Sequence, residues 1–194
     1  RGCPVVSTAK LDEIRDAFLH SRVEFLFWGD SVVEFMHDSR LYGASRFVDV
    51  GHSGQVIFCA LNELPFIKSI QPNKVLIYVG GNDADGQSWY GPEDAAAYYR
   101  TMLDDLSSSG IEPIVHLIHY ASTDRNEEYV TKYNSMIKDY AESKGLHVIP
   151  PLNELRFYVA KGSVDSPYSY DGEHLKPAGY RLWVSHINKH LSEF

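Results

Sequence analysis

Apolar residues along this chain fall into two patterns. Short unbroken runs of strand length occur at Val23–Trp28, Phe47–Val50, Val75–Val79, Ile114–Ile118 and His147–Ile149, and the segments between them repeat apolar positions at the spacing of one helix face. This alternation is the signature of βαβ units that build a parallel sheet. Helices are predicted over Thr8–His20, Val32–Arg40, Gln55–Leu64, Glu93–Ser107, Glu127–Lys144 and Pro177–Leu191. Pro92 and Pro177 suit first helical turns, and Gly110 and Gly145 lie just past the ends of theirs. The expected fold class is α/β: an open, flavodoxin-like five-stranded parallel sheet of order 2-1-3-4-5, held in a three-layer α/β/α sandwich.

Composition narrows this without changing it. A chain of 194 residues lies in the range of one domain, and neither a linker nor an internal repeat divides it, so a single domain over 1–194 is expected. The net charge of −8 opposes nucleic acid and anionic lipid as partners, and no stretch is apolar for long enough to insert in a membrane. A small or neutral substrate fits better. The two cysteines are Cys3 and Cys59; Cys59 lies in an apolar helical stretch, where a buried thiol is favoured over a bridge. The start at Arg1, without a signal-type apolar core, suggests a processed or truncated end, and Gly2-Cys3 is a poor match to a lipid-anchored cysteine. The compartment and the oligomeric state stay open.

Ligands of open parallel sheets bind outside the carboxyl ends of the strands, and four turns fall there. Gly29-Asp30-Ser31 follows the first apolar run, Gly51-His52-Ser53-Gly54 the second and Gly80-Gly81-Asn82-Asp83 the third, while Asp171-Gly172-Glu173-His174 precedes the last helix. Each alone has an ordinary reading as a helix cap or a tight turn. Together they supply a serine hydrolase in the order Ser, Asp, His. Ser31, in a first helical turn, has a free N–H and feels the positive end of the helix dipole, and Gly29 leaves room for a sharp turn. Asp171, three residues before His174, can accept from Nδ1 and leave Nε2 outward as a base. Asn82 can donate its side-chain N–H to a developing oxyanion, joined by the backbone N–H groups of Gly54 and Ser31.

These four blocks resemble those of the SGNH hydrolases, the GDSL-type esterase and lipase superfamily. The namesake residues map onto Ser31, Gly54, Asn82 and His174, and the likeness runs from about Val23 to the closing helix, with Val32 where the first block commonly has leucine. The resemblance implies a Ser-His-Asp acyl hydrolase with a three-donor oxyanion hole and no cofactor. Some acetyltransferase relatives carry their Asp and His two apart, so the spacing here leans to the esterase branch. An O-acyltransferase remains the rival enzyme, and a non-catalytic binding module the rival of another class.

Several other features have weaker readings. Ser53 lacks the last glycine of an α/β-hydrolase elbow, and Ser7, which with Lys10 fits an S-x-x-K pattern, reads better as a helix cap. His116 and His119, three apart on a strand-like run, should point to opposite faces, so no metal is expected. Trp89, Tyr90, Tyr120, Tyr158, Tyr168 and Tyr170 flank the predicted site, and Asp30, Trp89, Tyr120 and Tyr170 are the candidates for substrate contact. The segments Asp83–Gly91 and Arg156–Tyr170 mix polar and aromatic residues, which suits a shallow pocket for a short acyl group on a polar alcohol. The expected substrate is a small-molecule or carbohydrate ester, with a lysophospholipid or thioester second.

Overall fold

In the computed structural model, which describes residues 2–3, 7–20, 25–36, 47–120, 126–152, 155 and 166–193, every residue of Phe25–Gly29 is buried. Burial on both faces is what a central strand of a helix-covered parallel sheet requires. This strand, β1, pairs with β2 (Phe47–Gly51) on one side and β3 (Lys74–Tyr78) on the other; β4 (Glu112–His116) and β5 (Val148–Ile149) extend the sheet. All pairings are parallel and the order is β2-β1-β3-β4-β5, as the periodicity predicted.

The helices are α1 (Thr8–His20), α2 (Ser31–Glu34), α3 (Ile57–Ile70), α4 (Gly81–Ala84), α5 (Pro92–Ser108), α6 (Glu127–Ser143) and α7 (Pro177–Leu191). Side chains alternate across the sheet. Phe27 and Tyr78 meet Trp183 of α7 on one face, while Trp28 on the other donates its indole N–H to Glu63 of α3 at 3.0 Å. α5 packs beside α3, and α6 beside α5. Among the described residues no helix is long and apolar enough to cross a membrane.

Two helices differ from expectation. α2 was predicted to run to Arg40; it leaves helical structure after Glu34, and 37–40 lie outside the described residues, as do Val23 and Tyr158. α3 was predicted to stop at Leu64, before Pro65, yet continues to Ile70. Proline there removes one donor to the Leu61 carbonyl. Pro65 is exposed, so water can serve that carbonyl, and burial of Ile67 and Ile70 favours continuing the helix.

Cys3 and Cys59 form a disulfide, with Cα atoms 5.2 Å apart, where a free thiol at Cys59 was favoured. The N-terminal segment folds back on α3, and Asn62, one turn along, donates toward the Cys3 sulfur at 3.7 Å. Nothing in the local pattern around either cysteine encodes that return. Closing a loop between residues 56 apart is expected to stabilise the fold by about 2–4 kcal/mol. Urea melts with and without reductant measure it, and superimposable melts would show that the bridge contributes nothing.

Candidate active site

The first functional side chain is set at the carboxyl end of β1. Gly29 closes the strand against Tyr78 so tightly that a Cβ would collide with the Tyr78 carbonyl and the Val33 side chain. The chain can therefore turn directly into α2. Asp30 caps that turn, its Oδ1 accepting the Val32 N–H at 3.0 Å. Tyr180 of α7 donates to the Val32 carbonyl at 2.6 Å, fixing the turn from the other side. Ser31 begins α2, and its N–H finds no partner among the described residues. With α2 a single turn, the free N–H matters more than the helix dipole, which needs length to build.

The second piece is a small closed loop before α7. Ser169 and Leu175 form an antiparallel bridge, and Tyr170 N–H donates to the His174 carbonyl at 2.9 Å. Within the loop Asp171 Oδ1 accepts the backbone N–H groups of Glu173 and His174 at 2.9 and 2.7 Å. Its other oxygen lies 2.6 Å from His174 Nδ1. Burial pushes the Asp171 carboxyl up, but the hydrogen bonds from the His174 ring and these two backbone groups, with the His174 charge, outweigh it and hold the group below the usual carboxylate range. A carboxylate can only accept, so Nδ1 carries the proton, and whenever the ring is uncharged Nε2 is left as an acceptor. Ser31 Oγ lies 3.0 Å from that Nε2, across 143 residues of sequence.

The third piece comes from β3. α4 opens directly after it, and Asn82 donates from Nδ2 to the Gln55 carbonyl at 2.9 Å. A backbone carbonyl cannot donate, which fixes the amide orientation. Gln87 Nε2 then donates to Asn82 Oδ1 at 2.9 Å, leaving one Nδ2 hydrogen unassigned. Gly54, in the turn after β2, has φ +74°, and its N–H finds no partner among the described residues. The site thus holds a hydroxyl, an imidazole and a carboxylate in line, with three uncommitted N–H hydrogens nearby in the chain topology.

Asp83 braces this side. Its carboxylate accepts the Ile57 N–H at 3.1 Å, in place of a side-chain cap on α3. Burial pushes the Asp83 carboxyl up to about 6, against hydrogen bonds from Tyr90, Ile57 N–H, its own backbone and Ser88.

The aromatic candidates divide. Trp89 and Tyr170 are 69% and 64% exposed, free to meet a ligand. Trp89 stands edge-on to Phe58 and Tyr90, and Tyr170 lies beneath the Lys176 ammonium. Tyr120 places its hydroxyl 3.0 Å from Thr131 on α6. Asp30, expected to touch substrate, is buried within the cap, where it shapes the turn that carries Ser31. Two residues were missed. Phe35 is exposed with its ring 5.1 Å from the His174 ring, and Gln87 orients Asn82. Phe35, four positions after Ser31, was findable from helical spacing; Gln87 was not.

The other sequence features find structural places. Ser7 Oγ accepts the Lys10 N–H at 3.3 Å, as expected of a cap. His116 and His119 were expected on opposite faces, but their rings lie 5.3 Å apart, both against Tyr78 and Trp183. β4 ends at His116, so strand alternation does not extend to His119. Trp183 donates to His116 Nε2 at 2.9 Å and Nδ1 faces the Leu117 carbonyl, which fixes a neutral ring; burial pushes its pKa down to about 3. Among the described residues no group of three side chains could hold a metal ion.

A model of the GDSL-like Lipase/Acylhydrolase family matches residues 29–182. No curated protein sequence matches the chain significantly. Among solved structures, a GDSL-like lipase from Bacteroides thetaiotaomicron superposes with a TM-score of 0.74 at 17% identity, over 96% of this chain and 99% of the other. An acetyl xylan esterase superposes at 0.68 and 17% identity, over 86% and 98%. A catalytic mutant of an acetylxylan esterase from Geobacillus stearothermophilus gives 0.70 at 16% identity, over 88% and 94%. At these identities the likeness shows the fold.

The buried Asp83 supplies a stability test. Its folded pKa is raised, so its contribution is full below the ordinary value of 3.8 and is lost as pH rises through about 6. Asp83→Asn removes the titration. The unfolding free energy of this variant relative to the parent should therefore rise by roughly 2 kcal/mol between pH 4 and 6. Urea melts across that window measure it, and a pH-independent difference would place the ionisation elsewhere.

Proposed function

The chain belongs to the GDSL-like lipase/acylhydrolase family, and on that premise we propose that it is a serine esterase that hydrolyses short acyl esters, acetyl foremost, on a polar alcohol such as a carbohydrate. The observation that carries the reading is the line from Ser31 Oγ to His174 Nε2, 3.0 Å, and from Nδ1 to Asp171, 2.6 Å. His174 takes the Ser31 proton as Oγ attacks the acyl carbonyl. The tetrahedral anion is held by the N–H groups of Ser31 and Gly54 and by the Asn82 amide. His174 protonates the leaving alcohol, and water repeats the steps to release the acid and free Ser31.

The substrate half of the proposal rests on composition and analogy. Exposed Trp89, Tyr170 and Phe35 offer ring faces of the sort that stack on sugars, and two structures of like fold are acetyl xylan esterases. In sequence the segments Asp83–Gly91 and Arg156–Tyr170, of which 156–165 lie outside the described residues, mix polar and aromatic residues, which favours a short acyl group. The disulfide supports placing the protein in an oxidising compartment.

Ser31→Ala should abolish turnover and fluorophosphonate labelling, while loss of its small side chain should leave the fold intact. Asn82→Ala should lower kcat by on the order of 10²–10³ with little change in KM, because the amide acts in the transition state. Near-normal activity in folded Ser31→Ala would overturn the mechanism; a rise in KM alone for Asn82→Ala would make that residue a ground-state contact.

Chain-length preference is tested with p-nitrophenyl esters from acetate to palmitate. The expected kcat/KM is highest for the shortest acyl groups, and one that climbs to the longest would point to a lipid substrate instead.

A further inference from the structure

Gly54 can serve an oxyanion only if its peptide N–H sits at a fixed offset from Ser31 Oγ. The loop that carries it has few anchors of its own. His52 N–H donates to the Gly29 carbonyl at 3.1 Å, Gln55 N–H closes a turn onto the His52 carbonyl, and Gly54 and Ser53 are exposed. The anchor next to Gly54 is a side chain. Glu34, at the end of α2, accepts with Oε2 from the Ser53 N–H at 2.7 Å and also from the Ser53 hydroxyl.

We propose that Glu34 is a positioning residue that ties the Gly54 loop to the nucleophile turn. This rests on the esterase reading above and extends it to a residue outside the reacting groups. Glu34 stands three positions after Ser31, so one helical turn carries both the nucleophile and the clamp. Its carboxylate grips the residue whose carbonyl forms the Ser53–Gly54 peptide, and so sets the plane of the Gly54 N–H. Gly51 makes the approach possible: a Cβ there would collide with the Glu34 N and Cα and with the Asp30 carbonyl. A second carboxylate holds the loop from behind, since Glu63 Oε1 lies 2.6 Å from His52 Nδ1, off the line of a good hydrogen bond, while its Oε2 accepts from Trp28. Glu63 links the loop to α3 and β1. Glu34 links it to Ser31.

A clamp of this kind acts on rate more than on folding. The Ser53 contacts are exposed, where a hydrogen bond adds little to stability, but a misplaced oxyanion donor costs much of what it contributes to the transition state.

The test is kinetic, on a short-acyl p-nitrophenyl ester, with Glu34→Ala, Glu34→Asp and Glu34→Gln beside Ser31→Ala. Glu34→Ala is expected to lower kcat on the order of 10–100-fold with KM nearly unchanged and the thermal midpoint close to the parent's. Glu34→Asp, one methylene shorter, keeps the charge but should lose a similar factor. Glu34→Gln, whose carbonyl can accept both Ser53 donors, should recover most of the rate. Affinity for a boronic acid, whose tetrahedral adduct on Ser31 occupies the same N–H groups, should fall by the factor seen in kcat/KM. Activity retained in folded Ser31→Ala would overturn the esterase reading itself. Activity lost in Ser31→Ala but unchanged in both Glu34→Ala and Glu34→Asp would overturn the role of Glu34 alone, as would a loss confined to KM.

Discussion

The register of the three strands β2, β1 and β3 is the constraint on which the site depends. Gly29 at the end of β1 is level with Gly51 of β2 and with Tyr78 of β3, so the chain leaves all three strands within one layer. A slip of one residue in any pairing would turn that strand's buried side chains to the other face. It would also shift Ser31, Gly54 or Asn82 by more than a hydrogen bond can span. Apolar burial therefore holds the three turns in register without any polar group having to define it.

Above that layer, polar side chains bind the turns to one another. Asp83 reaches from the β3 turn to the start of α3, Asn82 to the Gln55 carbonyl, and Glu34 from the Ser31 turn to Ser53. Each spends an acceptor or a donor on backbone that would otherwise lack a partner, which is how irregular chain can be held at a sheet edge. The cost falls on Asp83, whose buried carboxyl resists ionisation. Its gain is a fixed N-terminus for the helix that follows the Gly54 loop.

The histidine cluster serves the opposite end of that logic. His116 is locked neutral between the Leu117 carbonyl and the Trp183 indole, and His119 Nδ1 lies 3.1 Å from the Tyr78 hydroxyl. These rings fill the layer between the sheet and α7, the helix that follows the His174 loop. His174 is set by a different device. Its loop closes on itself through Ser169, which accepts from Gly172 N–H and donates to the His174 carbonyl. The histidines that look alike in sequence are therefore separated by which donors and acceptors their rings meet.

What the amino-acid sequence determined by itself was local. The alternation of strand runs and helix faces implied a parallel sheet, because a parallel strand needs a crossover between itself and the next. The Asp171–His174 pairing was legible because three residues of turn suffice to bring the two groups together. What only the tertiary structure decided was every pairing made across distant segments: Cys3 with Cys59, Asp83 with Ile57, Glu34 with Ser53, the Gln55 carbonyl fixing the sense of Asn82, and the burial that hides Asp30 and carries α3 through Pro65. Local patterns record only what a few neighbouring residues can do for one another. The reach of a side chain across the layer above the sheet depends on strand register and helix offset, and these arise only when the whole core packs.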